Sequence, residues 1–97
     1  MSTIRRMPSR FLDLAPPNVV DIFYDEKYHD SYSVYVDCGD GWVMCFGTNP
    51  DLSFSGWFEY RYHELREYRD RARKYRLAWM DLPKAIRDIV VEDTLVP

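Results

Sequence analysis

Apolar and polar positions change their rhythm twice along this chain. From Asn18 to Asp25, Val20, Ile22 and Tyr24 alternate with Val19, Asp21 and Phe23. From Ser31 to Cys38, Tyr32, Val34, Val36 and Cys38 alternate with Ser33, Tyr35 and Asp37. Period two is the signature of a strand, and both segments are rich in β-branched and aromatic residues. Trp42 to Gly47 continues the pattern after Gly39-Asp40-Gly41. A three-residue loop there sets Trp42, Met44 and Phe46 beside Cys38, Val36 and Val34, so the bulky groups share one face. A two-residue loop would set them beside Asp37 and Tyr35. The first register buries more apolar area, at about 25 cal/mol per Å², and is the one expected.

Past Asn49-Pro50 the rhythm becomes ambiguous. Leu52 to Ser55 reads as a short fourth strand, Gly56 as a break, and helix is expected from about Phe58. Leu65, Tyr68, Ala72, Tyr75 and Trp79 then recur at steps of three and four, the spacing of a buried helical stripe. This predicts one long helix over 60–79. Pro83 stops it, because proline drives the preceding residue out of helical geometry. A second helix follows with Leu82, Ile86, Ile89 and Val90 as its stripe. The expected fold is α+β: an antiparallel meander of three to four strands, then one long and one short C-terminal helix packed on one face. The 97 residues make a single domain. Residues 1–17 form a loose basic arm ending at Pro16-Pro17, residues 18–55 the sheet, and residues 58–93 the helices.

Charge divides the chain more sharply than composition does. Asp13 to Asp51 holds eight acids and one base, whereas Glu59 to Arg76 holds seven bases and four acids. The net charge of −3 argues against a general nucleic-acid binder. Arg5 and Arg6 are followed by no apolar run, so no signal peptide is expected, and no stretch has the length of a membrane span. These features place the chain in the cytoplasm, or in the host cytoplasm if it is phage-encoded.

Few residues offer chemistry. His29 and His63 have no second imidazole at helical spacing, and there is no paired Cys-x-x-Cys, so neither a metal nor another cofactor is expected. Gly39, Gly41, Gly47 and Gly56 are scattered and form no phosphate-binding loop. Cys38 and Cys45 read as reduced thiols. A nucleophilic Cys45 activated by His63 would make a small enzyme, but the spacing does not require that pair.

Binding is the stronger expectation. Asp21, Asp25, Glu26, Asp30, Asp37 and Asp40 belong to one sheet and its loops. Carboxylates held on a rigid sheet can imitate a row of phosphates and occupy a basic groove on another protein. Tyr28, Tyr35, Trp57 and Tyr60 fall outside the core stripes and suit interface anchors. The expected function is therefore a non-enzymatic protein-binding domain, an inhibitor that blocks a basic nucleic-acid-binding site on a partner complex. Small, acidic, aromatic chains without catalytic motifs have the profile of accessory proteins carried by phages and mobile elements. The alternative is direct nucleic-acid binding through Arg66, Arg69, Arg73 and Arg76, although Glu64, Glu67 and Asp70 lie among them and repel phosphate. If Trp42 is buried as the register implies, Trp42→Ala costs about 3–5 kcal/mol in a denaturation experiment.

Overall fold

In the computed structural model, residues 4–94 are described. Four strands run in chain order as an antiparallel meander: β1 (Val19–Tyr24), β2 (Tyr32–Gly39), β3 (Trp42–Thr48) and β4 (Ser55–Arg61). Two helices follow, α1 (Tyr62–Arg71) and α2 (Lys84–Thr94). The α+β meander with C-terminal helices is thus the fold that the periodicities predict.

The β2–β3 hairpin reconciles two turn geometries. Asp40 and Gly41 both have positive φ (54° and 80°), the conformation of a two-residue hairpin turn, and Gly39 pairs with Trp42. A register shift at Cys38 then restores the apolar-matched pairing, with Val36 opposite Met44, Tyr35 opposite Cys45 and Val34 opposite Phe46. The Gly39 N–H donates to Asp37 Oδ1 at 2.8 Å and braces this bulge. Beyond the bulge Trp42 lies at the sheet's end, half-buried, with the Arg61 guanidinium 3.7 Å above its ring. It is not a core residue.

Alternation along the strands gives the sheet two apolar faces, and both are covered. Val34, Val36 and Phe46 join Ile22, Trp79, Leu82, Ile86 and Val90 on the α2 face. Tyr35, Val43 and Cys45 join Val20, Phe23, Leu65 and Ala72 on the α1 face. The helices therefore divide between the two faces instead of sharing one.

This division requires the expected long helix to break. α1 ends at Ala72, a 3-10 turn spans Arg73–Tyr75, and Arg76 and Ala78 are extended. No glycine or proline marks the site. Tertiary bonds override local helix propensity here: Arg76 bridges Phe23, and the Leu77 N–H donates to the Ile22 carbonyl at 3.0 Å. The chain rounds the β1 edge at this point. Leu65, Tyr68, Ala72 and Tyr75 stay on one face, and Trp79 reaches the other. Residues 52–60 also differ from expectation, because pairing continues through Gly56, opposite Gly47, as far as Arg61 opposite Trp42. The fourth strand is later and longer, and α1 starts only at Tyr62.

The described part of the N-terminal arm is docked. Ile4, Met7 and Leu12 are buried, and the Met7 N–H donates to the Val20 carbonyl at 2.8 Å. Leu12 pins the segment through a 3-10 turn at Ser9–Leu12, whereas Leu14 is exposed.

Two substitutions separate core from rim. Leu65→Ala removes a fully buried side chain and costs about 2–5 kcal/mol in urea denaturation. Trp42→Ala removes a half-buried ring and one cation–π contact, so its cost falls to about 1–2 kcal/mol.

Candidate functional site

The charged residues singled out by sequence do not form one surface. Asp21 follows a second bulge, at Val20, and by regular alternation with Ile22 and Phe23 it points to the α1 face beside Tyr35. There it is wholly buried. Arg69 of α1 donates its Nε–H to Asp21 Oδ2, and Arg76 Nε stands 3.8 Å from Oδ1. Asp21 Oδ1 and Arg76 Nε are otherwise without hydrogen-bond partners among the described residues. Burial pushes the Asp21 carboxyl above its ordinary value, and the two guanidiniums pull against that shift. Arg69 also donates to the Arg5 carbonyl at 2.8 Å and to the Tyr62 hydroxyl at 3.3 Å. An acid expected to meet a protein partner and two arginines expected to meet phosphate thus face one another inside the fold, Arg69 through a hydrogen bond and Arg76 through charge alone.

Other expected residues are dispersed. Asp25 is buried in the β1–β2 turn, where Oδ1 accepts the Lys27 N–H at 3.1 Å. Glu26 and Asp40 are exposed at separate turns, and Asp37 braces the hairpin bulge. Trp57 packs on the α2 face against Phe46 and donates from Nε1 to Asp93 Oδ2 at 2.8 Å. Arg73 is exposed and lies 3.8 Å from Asp70, and Arg66 is exposed on α1.

The structure does bring together Tyr28, Asp30 and Tyr35. They line a cleft of about 380 Å³ between α1 and the sheet. α1 has ten residues, or about 15 Å, and leaves part of the sheet uncovered. Beyond the helix runs a row of small residues, Ser33, Gly47 and Gly56, paired across three strands. Gly47 has a specific role. A Cβ there would lie 2.5 Å from Asp30 Oδ2, so only glycine lets the Asp30 carboxylate lie against β3. The next row is Tyr35, Cys45 and Phe58.

α1 supplies the opposite wall with Glu64, Glu67, Tyr68 and Arg71. Glu64 is held in place because its Oε1 accepts the Arg61 N–H at 3.0 Å, closing the first turn of the helix. Tyr68 packs edge-on against Phe23 at 4.9 Å and lies 6.4 Å from Tyr35. Tyr60 completes the rings. Tyr60 stands out in the sequence as a ring outside the core stripes. Glu64, Glu67 and Tyr68 do not, because their convergence on Asp30 depends on how far α1 extends over the sheet.

The ionisable groups of the cleft are held in their neutral forms where burial is deepest. Desolvation raises the Tyr35 hydroxyl beyond any physiological range, and raises Tyr68 to about 12. It pushes the Cys45 thiol up to about 12, against hydrogen bonds from Tyr35 and Ser33. His63 is exposed and is not among the cleft residues. Burial thus disfavours the Cys45 thiolate, and His63 is not beside it to draw off its proton. Among the described residues no group of three or more His, Cys, Asp or Glu is placed to hold a metal ion, and no helix is long and apolar enough to cross a membrane. Comparison with protein-family models, curated proteins and solved structures finds no match.

The buried pair is tested by a double-mutant cycle. Asp21→Asn leaves the Arg69 guanidinium buried without a counter-charge and costs about 3–5 kcal/mol, and adding Arg69→Met recovers a large part of that loss. Alkylation tests the thiols. At pH 8 iodoacetamide labels the exposed Cys38 in the folded protein. Cys45 reacts roughly 100-fold more slowly than in a urea-unfolded control, as followed by mass spectrometry.

Proposed function

We propose that this domain is a non-enzymatic protein-binding module whose acidic, aromatic α1 face docks on a basic nucleic-acid-binding site of a partner protein and blocks it. The observation that carries this reading is a set of unburied rings, one lining the cleft and two next to its residues. Tyr28 is 55% exposed, Phe58 39% and Phe54 41%. Tyr28 and Cys45 line the cleft, and Phe58 is the strand neighbour of Cys45 on β4. Phe54 packs on His29, next to Asp30, with ring centroids 4.8 Å apart. Large rings beside fixed carboxylates supply the two ingredients of a steered protein interface, apolar anchors and a complementary field.

Direct nucleic-acid binding has less support. Arg69 and Arg76 face Asp21, and Arg73 lies beside Asp70. Of the four arginines expected to grip phosphate, Arg66 alone has no carboxylate contact among the described residues.

Affinity capture from the native cell or its host, run in parallel with wild type and Phe58→Glu, checks the reading. Wild type is expected to retain a nucleic-acid-binding protein that competing DNA displaces. Phe58→Glu should retain at least tenfold less while keeping its circular dichroism spectrum. The free domain should bind neither DNA nor RNA at low ionic strength, where phosphate contacts are strongest. Equal retention by the two forms, or direct DNA binding, overturns the proposal.

A further inference from the structure

We propose that the cleft between α1 and the sheet receives one basic side chain, an arginine or lysine, from the partner protein. The proposal rests on the protein-binding reading above and assigns the chemistry of its central contact.

Charge is the first argument. The walls carry three carboxylates, Asp30, Glu64 and Glu67, against one guanidinium, Arg71. Glu64 is fixed by its bond to the Arg61 N–H, and Asp30 is seated in the space that Gly47 leaves. These carboxylates come from the β1–β2 loop and from α1, so they face one volume from different elements instead of lining one exposed stretch.

Rings are the second and independent argument. Tyr28, Tyr35, Tyr60 and Tyr68 all border the same volume. The face of an aromatic ring attracts a cation, and the attraction grows as water is excluded. Tyr35 is 8% exposed, and its hydroxyl meets the Cys45 thiol at the floor. It closes the inner end of the cleft against Tyr60 and Tyr68, whose rings share that border. The chain already places Arg61 over Trp42 at 3.7 Å and Lys74 over Tyr75 at 5.1 Å, so ring-on-cation contacts recur elsewhere in the molecule.

Size selects among occupants. A volume of about 380 Å³ lies at the small end of ligand pockets and suits one side chain, not a helix or a strand. The same carboxylates repel a nucleic-acid phosphate. A basic residue that normally holds phosphate in the partner's groove would instead find carboxylates and rings here.

The test is a titration of the full-length, 15N-labelled domain with end-blocked Gly-Arg-Gly and Gly-Lys-Gly. The neutral isostere Gly-citrulline-Gly is the control. The basic peptides are expected to shift the amides of Ser33, Cys45, Glu67 and Tyr68 in a saturable way, and the citrulline peptide is not. Glu64→Gln/Glu67→Gln should weaken the response at least fivefold. Glutamine keeps an acceptor for the Arg61 N–H, so the helix start is retained. Equal shifts from the citrulline peptide, or no saturable cleft shifts from either basic peptide, overturn the proposal. Retention of a captured partner separates the two readings. If Phe58→Glu loses that partner and the double glutamine variant keeps it undiminished, the interface stands and the cleft assignment falls. If neither variant affects retention, the interface falls as well.

Discussion

A carboxylate with no access to water must find positive charge within the fold, and Asp21 finds it in two places. Arg69 reaches it from α1, and Arg76 from the segment where the expected long helix has come apart. The two arginines enter from different elements, so one buried anion ties the helix, the edge crossing and β1 together. Arg69 extends the same set of bonds to the backbone of the N-terminal arm. Such an arrangement is not a large net source of stability, since desolvation consumes much of the attraction. What it enforces is position. Arg69 fixes α1 against β1, and the cleft lies between that helix and the sheet.

That arrangement changes the electrostatic meaning of the chain. In the sequence, acids precede bases in two blocks, which suggests two opposed surfaces. In the fold the blocks partly interpenetrate. Asp21 and Asp25 are buried, and Arg69 and Arg76 turn inward. The acidic feature that survives draws on both blocks, with Asp30 from the first and Glu64 and Glu67 from the second. Its carboxylates converge on one concavity instead of forming a row.

Much of the fold was legible because strand periodicity depends on short-range alternation. The first three strands lie within a residue or two of their expected bounds, and the β2–β3 register follows from matching Val34 and Val36 with Phe46 and Met44. What was not legible depends on long-range bonds. Nothing local in 72–78 stops a helix, and the break comes from main-chain bonds to Ile22 and Phe23. The continuation of β4 through Gly56 depends likewise on Gly47 across the ladder. Tyr28, Asp30 and Tyr35 were identifiable as candidates from charge and surplus aromaticity. Asp21 was misplaced because the face it shares with Phe23 is covered by α1, where Arg69 meets it. The expectation for Trp42 failed through a bulge, at Cys38, which leaves the ring at the sheet's end beside Arg61.

The route of the chain past β1 has a consequence for how the sheet meets other molecules. Met7, Arg76 and Leu77 engage the outer side of β1, whereas β4 ends the strand order with no further strand beside it among the described residues. The sheet is therefore polar as a template. One border is closed by the chain's own backbone, and growth by strand addition has a single permitted direction, from the side that carries Glu59 and Arg61.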